Sequence, residues 1–335
     1  MIALAFFGYF FLNLSIRNFM NTDLLAHNDP SRHVLVDKIQ DVQDKNNGST
    51  DNNGTDVREL CKKKYLLLTT QKSGSTWFCS VLHQQNGISC GGRPTQYNTP
   101  ASELLIDYSY ITNRGGIANV TWHQYQNDLD KAFAEVCEHN PATSIGFKLM
   151  YNQIPPQFVT NGELQTYFKD NGVYLIHLVR EAKILVLASA HDAIERGFHH
   201  TSNSTMIRET ASLKWDEKII DKMLEMEKTS FDWQNKVHNM TPFVHNFYVA
   251  YENLLREEKC KQLVGQIAAF VSGSFDPDIK KAEGTLLKQS DSSCSSRITN
   301  YTEFRAHKKV INSRSAAACD LIDSKGLRQR SLSSV

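Results

Sequence analysis

The sequence has no excess of charge of either sign. Its 335 residues include 37 Lys and Arg against 36 Asp and Glu, so the formal net charge at pH 7 is +1. Proteins that attract nucleic acid through their overall field carry a clear basic excess. The composition therefore predicts no nucleic-acid partner, and an anionic ligand must be recognised by a local group of residues.

The sequence also lacks the Cys-x-x-Cys spacing of zinc and thioredoxin-type sites, although it has seven cysteines. The adjacent His199 and His200 have no third ligand at a suitable spacing, so we predict no metal. Outside the N-terminal apolar segment there are six Asn-x-Ser/Thr sequons, at Asn47, Asn53, Asn119, Asn203, Asn239 and Asn300. This number favours a chain of the secretory-pathway lumen, where one or two disulfides are expected.

No hydrophobic run reaches the length of about 20 residues that a membrane-spanning helix needs. The longest run, residues 2–16, is followed by Arg17. We interpret residues 1–20 as a signal anchor, with a signal peptide as the alternative. Residues 21–62 are rich in Asn, Asp and Gly and predict a disordered stem. A catalytic domain is predicted over 63–312, followed by a C-terminal tail over 313–335.

The domain shows no internal repeat, which excludes solenoid architectures. Short apolar runs alternate with helical patterns, and this alternation predicts an α/β fold, a P-loop-like parallel sheet with helices on both faces. Ligands of such folds lie at the carboxyl ends of the strands. The predicted strands are 65–70, 144–150, 173–179 and 247–250, and the predicted helices lie near 123–138, near 182–196 and up to about 271.

The most informative stretch runs from the strand 65–70 through a small-residue turn into a helix that starts near Ser75. A helix start has backbone N–H groups without partners and a positive dipole end, so the turn predicts a cradle for a phosphate. Lys72 adds a cation. The Walker motif is not matched, because Lys72 precedes Ser73 and Gly74 instead of following the second glycine.

Three further segments follow in an order that resembles a known family. Arg180 and Ser189, in His-Leu-Val-Arg-Glu-Ala-Lys-Ile-Leu-Val-Leu-Ala-Ser, can hold a second phosphate through a guanidinium and a hydroxyl. Gly-Phe-Lys-Leu-Met-Tyr at 146–151 and the segments around Lys288 and Arg297 complete the pattern. Together these motifs resemble the sulfotransferases that use 3′-phosphoadenosine 5′-phosphosulfate (PAPS), in particular the bacterial trehalose and Nod-factor enzymes.

The resemblance implies a cofactor site made by several of these segments. The 5′-phosphosulfate would lie on the turn and first helix, the 3′-phosphate on Arg180 and Ser189, and Lys288 and Arg297 would close over the nucleotide. Tyr-Glu-Asn-Leu at 251–254 resembles the family's Tyr-Glu-Asp-Leu strand end and is interpreted as structural. The residues of the turn and first helix are Lys72, Ser73, Gly74, Ser75, Thr76 and Trp77.

The resemblance further implies transfer of a sulfuryl group to a hydroxyl of a glycan or glycolipid, by a lumenal enzyme of the Golgi membrane. The usual catalytic base does not carry over. Met150 stands where the cytosolic enzymes have a histidine, and Gln96 stands where the trehalose-type enzymes have a glutamate. An amide is not a base at neutral pH. We predict that Gln96 binds the acceptor and that Glu103 is the base, with His83, Asp107 and His123 as alternatives.

Two other functions stay open from the sequence. A P-loop-type nucleotide phosphotransferase would need a Walker lysine after glycine and an acid at the end of the second strand, and neither is present. A non-catalytic protein that binds nucleotide or glycan would account for the missing base. The oligomeric state and the acceptor are left open.

Overall fold

A five-stranded parallel sheet forms the centre of the protein, in the strand order β2-β3-β1-β4-β5. The computed structural model describes residues 60–91, 120–196, 212–239, 245–255, 257–273 and 293–323. The order reverses at the central strand β1, because the chain first builds β2 and β3 on one side and then crosses to β4 and β5 on the other. The strands are β1 Lys63–Thr69, β2 Ile88–Cys90, β3 Ser144–Met150, β4 Val173–Val179 and β5 Asn246–Ala250.

The sequence predicted the longer strands well. The observed β3 and β4 coincide with the predicted ranges 144–150 and 173–179, whereas β1 starts two residues before its predicted start. In β1, the residues from Tyr65 to Leu68 are fully buried on both faces, as is typical of a central parallel strand. The short β2 was not predicted, since three residues within a loop-rich stretch give no periodicity to recognise.

Helices cover both faces of the sheet, so the predicted fold class is confirmed. On one face, Leu66, Leu68 and Phe147 pack against residues of α2, α3 and α4. On the other face, Leu67 and Ile176 pack against α1 and α8. The helices are α1 Ser75–His83, α2 Trp122–His139, α3 Pro156–Thr160, α4 Glu163–Asp170, α5 Lys183–Arg196, α6 Glu217–Asn239, α7 Tyr251–Leu254, α8 Glu257–Ser272, α9 Cys294–Arg297, α10 Tyr301–Ala306 and α11 Arg314–Asp323.

A third apolar cluster joins α5 and α6 to the C-terminal helices α9, α10 and α11. Its buried members include Ile184, Met223, Phe304 and Ala316. Helix α11 lies within the range 313–335 that was predicted as a tail, and yet its apolar side is part of this core. The folded part therefore continues past the predicted boundary at residue 312.

Three disulfides cross-link the described part of the chain, where the sequence led us to expect one or two. They join Cys61 to Cys137, Cys79 to Cys90, and Cys294 to Cys319. Cys260 is buried and belongs to none of them. Disulfides persist in oxidising compartments, so this covalent framework is consistent with the secretory pathway.

The predicted membrane segment and stem, residues 1–62, lie almost entirely outside the described residues. Among the residues that are described, no helix is both long enough and apolar enough to cross a bilayer. The signal anchor therefore stays a prediction.

Candidate active site

The turn that links β1 to α1 has an unusual backbone. Lys72 and Gly74 both adopt the left-handed conformation, with φ of 59° and 76°. A lysine rarely takes this conformation, and such strained residues cluster at functional loops. Gly74 is required for a second reason, because a Cβ atom there would lie 2.2 Å from Cε2 of Tyr251. The hydroxyls of Thr70 and Ser73 close the turn with a 2.7 Å hydrogen bond.

Helix α1 starts directly from this turn, at the carboxyl edge of the sheet. Its N-cap is Gly74, so no side chain caps the helix, and its first turn contains no acidic residue. Ser75 and Thr76 are buried there. The first N–H groups and the positive end of the helix dipole are thus arranged to receive an anion.

Two lysines add positive charge at the same place. Lys148 of β3 is only 7% exposed, and its Nζ donates to Oγ1 of Thr76 at 3.2 Å. Burial, and to a smaller extent the nearby charge of Lys72, lower the pKa of Lys148 to about 8. A buried lysine beside a second lysine gains most from an anionic ligand.

Lys148 was not assigned to the site from the sequence, where the segment 146–151 served only as part of the family pattern. The available signal was a single lysine within the otherwise apolar strand Ser-Ile-Gly-Phe-Lys-Leu-Met. Lys, Glu, Arg and Asp are almost never buried without a partner or a function.

Arg180 forms a second cationic group immediately after β4. Its Nη1 donates to the carbonyl of Lys72 at 3.1 Å and to Oγ of Ser189 at 3.2 Å. The structure thus brings Arg180 and Ser189 together, and it also connects them to the phosphate cradle. The side chain of Arg180 is 6% exposed, and its Nε makes no hydrogen bond within the described residues. A buried guanidinium with a donor to spare is suited to an oxyanion.

Tyr251 connects the two cationic groups. Its ring lies against Gly74, forms an edge-on contact with Trp77 at 6.5 Å between centroids, and has the guanidinium of Arg180 at 5.0 Å from its centroid. Burial raises the pKa of Tyr251, so the phenol is neutral. From the sequence, this strand end was interpreted as structural. Because Tyr251 directly follows β5, it lies at the carboxyl edge of the sheet, where the ligands of such folds bind.

The backbone around Arg180 is held by two buried charged residues. The carboxylate of Glu252 accepts from the N–H groups of Glu181 at 3.2 Å and Ala182 at 2.9 Å. Nζ of Lys183 donates to the carbonyl of Arg180 at 2.6 Å and to Oγ of Ser230 at 3.1 Å. The position of Arg180 is therefore fixed before any ligand binds.

Several predicted site residues, Gln96, Glu103 and Lys288, lie outside the described residues, as does the alternative base Asp107. Of the two alternative histidines, His83 ends α1, about 12 Å along the helix from the cradle. Its ring accepts from the N–H of Cys90 at 3.4 Å, and burial lowers its pKa. His123 is exposed at the start of α2 and contacts Asn127 at 3.2 Å. Because α2 runs antiparallel to the strands, its first residues lie at the carboxyl edge of the sheet. Of these two histidines, only His123 therefore lies at the edge that carries the cradle.

Arg297, which the resemblance implies at the nucleotide, forms a buried ion pair. Its side chain is 1% exposed, and its Nη2 lies 2.7 Å from Oδ2 of Asp192, which is itself 2% exposed. A guanidinium in the protein interior needs such a counter-ion. The charge of Arg297 is thus compensated inside the fold by Asp192, and its predicted contact with the nucleotide stays a prediction.

Comparison with known proteins gives a likeness to solved structures alone. No protein-family profile matches the chain, and no curated protein matches it. Among solved structures, the chain is similar to a sulfotransferase domain from the curacin biosynthetic pathway, at 12% identity and a TM-score of 0.35. The match covers 77% of this chain and 89% of that domain. A likeness of this size does not identify the reaction.

Proposed function

We propose that the protein is a sulfotransferase that moves the sulfuryl group of PAPS to a hydroxyl of a glycan or glycolipid. The observation that supports this proposal best is the presence of two adjacent cationic groups at the carboxyl edge of the sheet. One is the α1 cradle with Lys72 and Lys148, and the other is Arg180 with Ser189. A nucleotide with phosphate at both its 5′ and 3′ positions matches two such groups, whereas ATP has its phosphates in a single chain.

The reaction would be a single in-line displacement. The acceptor oxygen attacks sulfur while the bond from sulfur to the bridging oxygen of the 5′-phosphate breaks, and 3′,5′-bisphosphorylated adenosine leaves. Lys72 would neutralise the negative charge that develops on the bridging oxygen. The N–H groups from Ser73 to Thr76 and the ammonium of Lys148 would hold the 5′-phosphate. These groups are arranged in advance and need no reorganisation during the reaction.

The acceptor proton requires a base. We retain Glu103 as the proposed base and Gln96 as the residue that orients the acceptor hydroxyl. Both residues belong to the stretch 92–119, which lies outside the described residues. No metal is needed for this charge balance, because lysine, arginine and backbone N–H groups supply the positive charge.

The proposed location is the lumenal side of the Golgi membrane, with the N-terminal segment as the anchor. Three disulfides and six sequons outside that segment support an oxidising, glycosylating compartment.

The proposal is tested with the purified lumenal chain in two assays. Calorimetry should show tight binding of 3′,5′-bisphosphorylated adenosine, and radiolabelled sulfate from PAPS should appear on at least one member of a broad glycan panel. Binding of the nucleotide without transfer of sulfate would favour the alternative that this protein is not catalytic. Magnesium-dependent transfer of phosphate from ATP would favour the phosphotransferase.

A further inference from the structure

The buried ion pair between Arg297 and Asp192 joins two distant parts of the chain. Arg297 ends α9 in the C-terminal segment, and Asp192 lies on α5, the helix that follows Arg180. Both side chains are almost completely buried, at 1% and 2% exposure. Two charges are stable in the interior only if they keep close contact, so the pair fixes α9 against one particular turn of α5.

That turn of α5 is the one that presents Ser189. Asp192 follows Ser189 by three residues, which is less than one helical turn. Ser189 donates its hydroxyl proton to the carbonyl of Leu185 at 2.7 Å and accepts from Nη1 of Arg180 at 3.2 Å. A small rotation or shift of α5 at Asp192 would therefore move the oxygen that orients the guanidinium of Arg180.

The same C-terminal segment also holds the beginning of α5. Oγ of Ser315 accepts from the N–H of Ile184 at 3.1 Å, and the disulfide between Cys294 and Cys319 ties α9 to α11. The segment that contains Arg297 is further attached through Leu213, whose N–H donates to the carbonyl of Arg297 at 2.8 Å. Helix α5 is thus fixed on both sides of Ser189 by residues 293–323.

We propose that Arg297 and Asp192 are positioning residues, which set the affinity for the 3′-phosphate by holding Ser189 in register with Arg180. Neither residue contacts the ligand. This inference rests on the proposed function, because it assumes that Arg180 and Ser189 bind the 3′-phosphate. It replaces the direct role for Arg297 that the family resemblance implies.

The direction in which Asp192→Asn changes the nucleotide affinity distinguishes a direct role of Arg297 from a positioning role. If Arg297 bound the nucleotide directly, Asp192 would compete for its guanidinium, and Asp192→Asn would strengthen the binding of 3′,5′-bisphosphorylated adenosine. If the pair positions Ser189, Asp192→Asn should weaken that binding by about tenfold and leave the binding of adenosine 5′-phosphate within about twofold. Both affinities are measured by calorimetry on protein whose thermal unfolding shows that it is folded.

A second variant avoids leaving one charge buried alone. The double substitution Asp192→Leu with Arg297→Met removes both charges, and such replacements of a buried pair are often neutral or stabilising. We expect this variant to fold and to lose about tenfold in affinity for the bisphosphate. Adding Ser189→Ala should then cost little more, although Ser189→Ala alone weakens binding in the unmutated protein, because residues that act as a unit are not additive.

The outcomes distinguish this inference from the proposed function. Full affinity for the bisphosphate in the double variant, or an additive effect of Ser189→Ala, would overturn the positioning role alone. If the double variant fails to fold, Arg297→Lys keeps the charge and loses the planar fork; it should weaken bisphosphate binding selectively, and unchanged binding would overturn the proposal. If the unmutated protein binds both nucleotides equally, the proposed function fails and the positioning role falls with it.

Discussion

Lys148 is a residue whose surroundings lower its pKa, and a bound anion would raise that pKa again. Its ammonium is buried in β3 and lies near Lys72, and both features lower its pKa, to about 8. Since the pKa is below its ordinary value of 10.5, the charged lysine destabilises the folded protein below pH 8, and this effect disappears as the pH rises towards 10.5. The protein thus carries a cation at the site, although this cation lowers the stability of the fold.

Replacing this lysine should separate stability from ligand binding. Lys148→Met removes the buried charge, so we expect a Tm at pH 7 that is higher by a few degrees, at about 2–4 °C per kcal/mol for a chain of this size. The affinity for 3′,5′-bisphosphorylated adenosine should fall by about tenfold or more. A lower Tm for the variant would show that the charge is already compensated in the unliganded protein.

The same lysine predicts a pH dependence of binding. A bound phosphate favours the protonated form of Lys148, so the affinity for the bisphosphate should decrease as the pH rises above about 8. Calorimetry between pH 6.5 and 9.5 measures this decrease. In Lys148→Met it should be absent, and a decrease of the same size in the variant would assign the titration to another group.

Lys72 is expected to act mainly in the transition state. Lys72→Ala should lower kcat by at least about tenfold with a smaller change in PAPS binding, because the charge on the bridging oxygen develops only as the bond to sulfur breaks. Lys131→Ala, on an exposed part of α2, is the matched control. An unchanged kcat would remove Lys72 from the mechanism.

Arg180 should determine the preference for a nucleotide that carries a 3′-phosphate. Arg180→Ala should weaken binding of 3′,5′-bisphosphorylated adenosine by about 2–5 kcal/mol, the scale for losing a partner of a buried charge pair. Binding of adenosine 5′-phosphate should change much less. Equal losses for both ligands would mean that Arg180 supports the turn through the carbonyl of Lys72 and does not contact the 3′-phosphate.

At the scale of elements, the turn before α1 depends on its contact with the Tyr251 ring as well as on its own conformation. Gly74→Ala should destabilise the protein and abolish nucleotide binding, because the new Cβ would meet this ring. Gly162 is a close control, since its φ of 77° nearly equals the 76° of Gly74, it also caps a helix, and it has nothing within 4 Å of an added Cβ. Chemical denaturation of both variants measures the difference. Equal losses of stability in the two variants would show that the Tyr251 ring moves aside at little cost.

The sequence predicted the elements that carry a strong local pattern. Strands β3 and β4 are apolar runs between turn residues, and the start of α1 is marked by a small-residue turn, so all three were found. Helix α6 was not predicted, although Ile219, Ile220, Met223 and Leu224 recur at helical spacing within its 23 residues. The partnership of Arg297 with Asp192 could not be predicted, since a single sequence does not show which distant charges meet.

At the scale of the whole molecule, one disulfide closes the fold far from the site. Cys61 precedes β1 and Cys137 is near the end of α2, so their bond lies at the amino edge of the sheet. Replacing both by serine should lower the stability by about 2–5 kcal/mol, as is usual for a native disulfide of a secreted domain. Nucleotide affinity at 25 °C should stay within about twofold. Cys260→Ala controls for the loss of a buried cysteine, and a large loss of affinity would show that the two edges are coupled.

The disulfide between Cys79 and Cys90 connects two parts of the chain that have different roles. Cys79 belongs to α1, which forms the cradle, and Cys90 ends β2, two residues before the stretch 92–119. The point where that stretch leaves the sheet is therefore covalently fixed to the helix whose N-terminus forms the proposed phosphate cradle. Segments of another length or composition could be exchanged after this fixed point while the cradle keeps its geometry, so that new acceptors could be acquired by grafting alone.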